Sequence, residues 1–208
     1  MRAFIYTGGS VYAQGITEHP KGEDLKIAAD SGIYTARALG DEPDVFIGDL
    51  DSANEAEIPK GVEVVHLKPE KDLTDTHAAV ELAIAKGADE IIIIGGIGTR
   101  LDHTLSSLAI LEDLYLRGLH NAIIVNGYNR ARYVRDTTTL IGSSHYKYLS
   151  VICADERARG VSIEGCKYPL KNTTLNRRFQ FAVSNEIIKN CALISVRRGG
   201  IFIIESND

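Results

Sequence analysis

Up to about residue 127 the chain alternates short apolar runs with longer stretches of helical periodicity. The runs Ala3–Tyr6, Lys26–Ala29, Val45–Ile47, Glu63–Leu67, Glu90–Ile94 and Ala122–Val125 read as strands. Ile91 to Ile94 is an unbroken β-branched series, as suits a strand covered on both faces. Between the runs, Ile33–Leu39, Thr76–Lys86 and His103–Arg117 read as helices. Each runs into a glycine, Gly40, Gly87 or Gly118, of the kind that closes a helix in the left-handed conformation. In the second helix Ala79, Val80, Ala83 and Ile84 share one face while Glu81 points away. Strands alternating with helices predict a Rossmann-like α/β domain with a mainly parallel sheet and right-handed crossovers.

After about residue 130 the period changes to two. Val161 and Ile163 alternate with Ser162 and Glu164, Phe179 and Phe181 flank Gln180, and Ile194 and Val196 alternate with Ser195 and Arg197. Turn material such as Ile141-Gly142-Ser143-Ser144 and Arg198-Gly199-Gly200 punctuates these runs, and no helical pattern remains. The second half is expected to be an antiparallel β domain, a sandwich or barrel. The expected division is 1–128 for the α/β domain and 129–208 for the β-sandwich.

Composition narrows the class. Hydrophobic residues make up 44% and charged residues 25%, the balance of an ordinary globular chain. No apolar run approaches the ~20 residues that span a bilayer, and the opening MRAFIYTGGS is broken too soon to be a secretory signal. A cytoplasmic protein is therefore expected, with no membrane partner. Cys153, Cys166 and Cys191 are odd in number and lack ligand spacing, so buried reduced thiols are expected rather than disulfides or zinc. With a net charge of −5 and no basic stripe, nucleic acid is not an expected partner.

The negative charge is not evenly spread. In an open parallel sheet, ligands bind outside the carboxyl ends of the strands, and acidic residues gather at those ends. Asp30 follows one strand, Asp49 and Asp51 follow another, and Asp72 and Asp75 precede the second helix. Two carboxylates ~4 Å apart repel by about 4 kcal/mol at an effective dielectric near 20, so a cation is expected among them. Oxygen donors without His or Cys companions favour a hard ion such as Mg²⁺, which adds phosphates and waters to one or two carboxylates. The segment Gly95-Gly96-Ile97-Gly98-Thr99-Arg100-Leu101-Asp102-His103 supplies the complement. Its glycines permit close backbone approach, the helix that follows turns N–H groups toward a ligand, and Arg100 and Lys71 offer positive charge to phosphate. Simpler readings stand beside this one: Thr74, Asp75 or Asp102 as helix caps, and Asp51-Ser52 as a turn. Three functions fit the residues alone: phosphoryl transfer, a hydrolase with Asp49 or Asp51 as nucleophile, and a nucleotide sensor without catalysis.

Taken in order, these segments resemble the thiamine pyrophosphokinase family. The resemblance rests on Ala29-Asp30-Ser31-Gly32, Pro43-Asp44, Ile47-Gly48-Asp49-Leu50-Asp51-Ser52, Lys71-Asp72-Leu73-Thr74-Asp75-Thr76 and Gly95-x-x-Gly98-x-Arg100-x-Asp102-His103. It continues in Gly165-Cys166-Lys167-Tyr168-Pro169-Leu170 and Val183-Ser184-Asn185-Glu186, so it spans nearly the whole chain. It implies an α/β nucleotide domain followed by a β-sandwich, working as a homodimer with thiamine held where the two domain types of different subunits meet. It implies transfer of a pyrophosphoryl group from ATP to the thiamine hydroxyl, with release of AMP. Asp49, Asp51 and Asp75 would hold magnesium and the ATP phosphates, with Asp30 and Asp72 nearby. Ser31, Gly32, Lys71, Gly95 and Gly98 would line the ATP site, and Arg100, Asp102 and His103 would position the reacting groups. Thr74, Tyr168, Ser184 and Asn185 would face thiamine. Asp72, Asp75 and Asp102 are the candidate bases. Ser31 stands where the family has glycine, and Tyr168 where some members have tryptophan. A sister pyrophosphokinase acting on a hydroxymethylpterin is the nearest enzymatic alternative.

Overall fold

A computed structural model describes residues 1–49, 58–68, 72–98 and 100–208. Asp51 and Lys71 lie outside them. The chain divides into two compact units, Met1–Gly127 and Tyr128–Asp208.

In the first unit the apolar runs become strands β1 (Arg2–Tyr6), β2 (Leu25–Ala29), β3 (Val45–Gly48), β4 (Glu63–His66), β5 (Glu90–Ile94) and β6 (Asn121–Val125). They lie in the order β4-β3-β2-β1-β5-β6, and each pairing is parallel. Alternate residues of the central strands feed opposite faces. Phe4, Tyr6, Ile92 and Ile94 pack with Ala36 and Val125, whereas Ile5, Ile91 and Ile93 are equally buried on the other face.

The helices are α1 (Gly32–Ala38), α2 (Asp75–Ala85) and α3 (Leu101–Leu116). Ala78, Ala79, Val80 and Ala83 of α2 are buried, and small side chains on that face let the helix lie close to the sheet. Glu81 points away, as its place in the pattern predicts, and there it meets Arg117 from the end of α3. The three helix-closing glycines adopt φ of +78° at Gly40, +91° at Gly87 and +93° at Gly118. Successive strands β1 to β4 run outward in one direction, and the chain then returns to place β5 on the other side of β1. The topological switch point therefore lies between β1 and β5, the position at which such sheets bind ligands.

The second unit contains β7 (Asn129–Arg135), β8 (Thr138–Gly142), β9 (Tyr148–Cys153), β10 (Arg157–Glu164), β11 (Leu170–Asn176), β12 (Cys191–Ser195) and β13 (Gly200–Ser206). They form two antiparallel layers, β7-β13-β9 and β11-β10-β12-β8. Val161, Ile163, Ile194 and Val196 are buried, as their alternation predicts. The alternation at Phe179–Phe181 reads differently in the structure. Both phenylalanines are exposed and no strand forms there. Gln180 takes the inward position instead: its Oε1 accepts from Cys153 N at 3.1 Å and its Nε2 donates to Cys153 O at 3.1 Å. A side-chain amide thus occupies the edge of β9 where a backbone partner would otherwise pair, and the apolar residues beside it face outward.

Cys153 and Cys166 are buried, Cys191 is half-buried, and all three are free thiols. Burial raises the pKa of both buried thiols. None of the described helices is long and apolar enough to cross a membrane.

Candidate active site

Register brings the carboxyl ends of the central strands level, with Tyr6 beside Ala28 on one side and Ile94 on the other, and Ala29 beside Ile47. The segments leaving those ends wall a cleft of about 270 Å³. Its lining includes Thr7, Gly8 and Gly9 after β1, Asp30 and Ser31 after β2, and Gly95, Gly96 and Gly98 after β5. Thr74 and Asp75 enter from the start of α2, and Arg100, His103 and Ser107 from α3 and its approach.

The backbone here is close-packed. A Cβ on Gly9 would lie 1.6 Å from the Gly95 carbonyl oxygen, and one on Gly32 would lie 1.9 Å from that of Tyr6. Only glycine allows those approaches. Gly95 itself has φ +84°. Thr7 ties the two loops to the sheet: its amide and hydroxyl both donate to Ile94 O, at 2.9 and 3.1 Å. Its own carbonyl accepts from the Thr35 hydroxyl at 2.7 Å. At the third loop, the Gly98 amide donates to the Thr104 hydroxyl, which donates onward to Arg100 O.

Asp30 lies at φ +49°, an unusual conformation for a residue with a Cβ, and its amide donates to Ile47 O at 2.9 Å. Such strain costs of order 1–3 kcal/mol and persists where surroundings impose it, often at ligand sites. Ser31, the departure from the family's glycine, has φ −58° and ψ −6°, so its backbone needs no glycine. Its hydroxyl fills the space that a Cβ on Gly8 would occupy, 2.0 Å away. The missing side chain at Gly8 accommodates the added one at Ser31.

Thr74 caps α2, accepting from His77 N at 3.2 Å, and Asp75 sits in the first helical turn. Thr74 is thus the cap of α2, and both residues also line the cleft. Arg100 and Asp102 form a two-point ion pair, with Nε at 3.3 Å and a terminal nitrogen at 2.6 Å from the carboxylate oxygens. Hydrogen bonding from Arg100 holds the Asp102 carboxyl below the usual carboxylate range. The N-cap residue of α3 is Arg100, and Asp102 sits in the first turn, where the His103 amide also helps to lower its pKa. Asp49, just after β3, Asp72, before α2, Gly32 and Asp102 are not among the wall residues of the cleft.

Two of the carboxylates proposed to gather a cation, Asp30 and Asp75, share the cleft wall with threonine hydroxyls and no thiolate, a donor set of hard oxygens. Among the described residues, the one trio of His, Cys or acidic side chains with ligand atoms within 4.8 Å is His77, Glu81 and Asp113, none of which lines the cleft. Arg117 already occupies that trio, 3.1 Å from a Glu81 oxygen and 3.0 Å from Asp113. Two carboxylates in the wall fit the demand of an ion such as Mg²⁺, which takes one or two carboxylates and completes its shell with phosphates and waters.

Within the second unit, Tyr168 and Asn185 line a separate hollow of about 280 Å³ with Ile163, Leu170, Phe181, Ala182 and Val183. Asn185 is buried, and its amide is committed to the backbone. Its Oδ1 accepts from Tyr168 N at 2.9 Å and from Glu186 N at 3.0 Å, and its Nδ2 donates to Tyr168 O at 2.7 Å. It fixes the segment that carries the exposed Tyr168 ring, over which Lys167 Nζ stands 5.7 Å from the centroid. Ser184 adopts φ +53° and donates its amide to the Ser150 hydroxyl, beside the hollow rather than in its wall.

Thr7 to Gly9, Thr76, Thr104 and Ser107 belong to the cleft or its scaffold but were not among the sequence candidates. The signal for the first was present: Thr7-Gly8-Gly9-Ser10 is a small-residue turn straight after a buried strand, the same pattern that singles out Gly95–Gly98.

A family model described as thiamin pyrophosphokinase, catalytic domain, matches residues 17–123, and one described as thiamin pyrophosphokinase, vitamin B1 binding domain, matches residues 137–201. The chain belongs to the thiamin pyrophosphokinase family. It is 28% identical to a thiamine pyrophosphokinase of Bacillus subtilis over 201 residues, 93% of this chain and 92% of that one. A crystal structure of a thiamine pyrophosphokinase from the same organism superposes with a TM-score of 0.89 at 26% identity, covering 100% of both chains. A thiamin pyrophosphokinase of Caenorhabditis elegans is 26% identical over 199 residues, covering 86% of this chain and 78% of its own. The thiamin pyrophosphokinase fold thus spans both units.

Proposed function

We propose that the chain transfers a pyrophosphoryl group from ATP to thiamine, giving thiamine diphosphate and AMP. The observation that carries this reading is the cleft at the β1–β5 switch point, where two glycine turns meet a rim of carboxylates. Family membership favours thiamine over a hydroxymethylpterin as acceptor. The residues 1–128 would form the ATP and magnesium domain, and 129–208 the thiamine domain.

In this reading the backbone of Gly8, Gly9 and Gly95–Gly98 accepts the polyphosphate closely, and the positive end of α3 faces it. Asp49 and Asp75, with Asp51 and Asp30, would hold Mg²⁺, and Lys71 would add a positive charge. Bound there, the ion neutralises charge on the phosphate oxygens. Arg100 exchanges Asp102 for phosphate oxygens, and His103 stands beside it at the mouth. The thiamine hydroxyl oxygen forms a bond to the β-phosphorus as the bond from that phosphorus to the α–β bridging oxygen breaks, and AMP leaves with that oxygen. The hydroxyl proton passes to a rim carboxylate or to water. Asp102 holds that arginine ready until phosphate arrives, and Asp72, Asp75 and Asp102 are the candidate carboxylates for the proton. Tyr168 offers an aromatic face to thiamine, with Thr74 and Ser184 at the edges of the substrate sites and Asn185 fixing the tyrosine's backbone.

A homodimer is part of the proposal. Supporting it, Leu140, Phe179, Phe181, Val183 and Ile188 of the second unit are all exposed. A cytoplasmic setting accords with three free thiols.

The test is incubation of the purified protein with ATP, thiamine and Mg²⁺, with both products quantified. Thiamine diphosphate and AMP should appear in equal amounts and vanish with EDTA. Asp75→Asn should lower turnover at least 100-fold while the circular dichroism spectrum is unchanged. AMP without thiamine diphosphate, or near-normal turnover in Asp75→Asn, would overturn the assignment.

A further inference from the structure

Charge divides sharply between the units. Residues 1–127 carry ten Lys and Arg against twenty-one Asp and Glu, a net of −11, whereas residues 128–208 carry thirteen against seven, a net of +6. The chain as a sequence has no basic stripe, because the arginines of the second unit come from separated stretches. The fold gathers four of them. Arg135, Arg157, Arg159 and Arg198 surround a depression of about 400 Å³, with Asp155, Glu156 and Gly199 completing its lining.

One of the four is anchored. Arg135 donates to Tyr133 Oη and to Asp155, each at 3.1 Å, and so consumes the Asp155 charge. The Arg157, Arg159 and Arg198 guanidiniums are exposed and, among the described residues, make neither a hydrogen bond nor an ion pair. The Glu156 carboxylate is likewise exposed and pairs with none of them.

The backbone forces these like charges together. β10 shifts register between Ala158 and Val161, where Gly160 takes φ +67°. Beside this irregularity Arg159 forms an antiparallel bridge with Arg198: Arg159 N donates to Arg198 O at 2.7 Å, and Arg198 N donates to Arg159 O at 3.1 Å. Arg157 lies two residues back along the same strand. Gly199 presses on it, since a Cβ there would meet Arg157 O at 2.8 Å. Like charges placed directly across a strand pair destabilise it, and a surface governed by stability alone would intersperse acids. A multiply charged anion removes the repulsion and engages several forks at once.

We propose that this depression is a second anion site, separate from the catalytic cleft, that binds a metal-free inorganic polyphosphate chain. The lining decides the class. It contains guanidiniums, carboxylates and glycine, with no aromatic or apolar wall on which a base could stack. It therefore reads phosphate charge and fork geometry rather than a nucleoside. The acidic cleft discriminates the other way, because a metal-free polyphosphate is repelled there. EDTA consequently separates the two sites, and the outcome does not depend on whether the chain makes thiamine diphosphate.

The experiment is isothermal titration of the full chain with sodium tripolyphosphate in EDTA at low salt, with pyrophosphate, orthophosphate and ATP as parallel ligands. One tripolyphosphate per chain should bind, more weakly as salt rises, with orthophosphate at least tenfold weaker and ATP no tighter than tripolyphosphate. Arg159→Gln with Arg198→Gln should weaken binding at least tenfold, and Asp75→Asn should leave it unchanged. Tripolyphosphate should raise the Tm of the parent protein and not that of the double variant, whose own Tm should be no lower than the parent's. Absence of binding in EDTA, equal binding by the double variant, or tighter binding of a short DNA strand than of tripolyphosphate would overturn the proposal.

Discussion

At the scale of single residues, the cleft is defined as much by missing side chains as by reactive ones. Gly9 and Gly95 touch through their backbones, so Gly9→Ala requires one loop to move. We expect a loss of about 3 kcal/mol, read as a fall of about 6–12 °C in Tm, together with loss of activity out of proportion to the unfolded fraction. An unchanged Tm would mean that the two loops are not in contact. Ser31 and Gly8 carry the same lesson in exchange, one gaining the volume that the other lacks. Charged residues can be read with equal directness. Asp24 accepts from Arg2 Nε at 3.2 Å and from Lys21 N at 2.7 Å, and the Arg2 hydrogen bonds hold its carboxyl below the usual range. As pH falls below about 4, the unfolded chain takes up this proton before the folded one does. The stability from this pair is present above pH 4 and lost as pH falls through the lowered folded value. Urea unfolding at pH 7, 4 and 3 should show a shallower decline for Asp24→Asn than for the parent, from a lower starting point at pH 7. Parallel declines would contradict the pairing.

Secondary-structure elements were legible where burial and local backbone chemistry agreed. The Ile-rich run of β5 and the three glycine helix stops are set by neighbours in sequence, and the strand ends inherit their acids from the same runs. Phe179–Phe181 was not legible, because period two says which residues share a face and not which face is inward. Gln180 decides that through a partner 27 residues away. The Thr7–Gly9 turn carries the same local signal as Gly95–Gly98, and the pairing of β1 with β5 is what joins the two into one cleft. Strand pairing also explains a buried charge that no local pattern announces. Glu205 on β13 lies opposite Arg130 on β7, is 2% exposed, and receives two hydrogen bonds from it at 2.7 and 2.6 Å. Arg132 on the same face and Ser144 add contacts at 3.3 and 3.1 Å. Glu205→Gln leaves Arg130 without its countercharge, so denaturant titration should record a loss of about 3–5 kcal/mol. A change below 1 kcal/mol would mean that water replaces the carboxylate.

At the scale of the molecule, an acidic α/β unit and a basic β unit are joined in one chain. The acidic unit is an improbable receiver of a triphosphate unless a cation mediates, and its glycine turns have little purpose without a ligand that approaches backbone closely. These two facts, rather than any one residue, support the proposal that the cleft is a metal–polyphosphate site. The most direct measurement is a crystal structure with a non-hydrolysable ATP analogue and Mn²⁺, with the ion located by its anomalous scattering. The account predicts a manganese peak held by Asp75 and at least one of Asp30, Asp49 and Asp51, bridging to phosphates that lie against Gly8, Gly9 and Gly95–Gly98, with Arg100 released from Asp102. Phosphates bound away from those glycines, or carboxylates of the cleft with no ion among them, would contradict it.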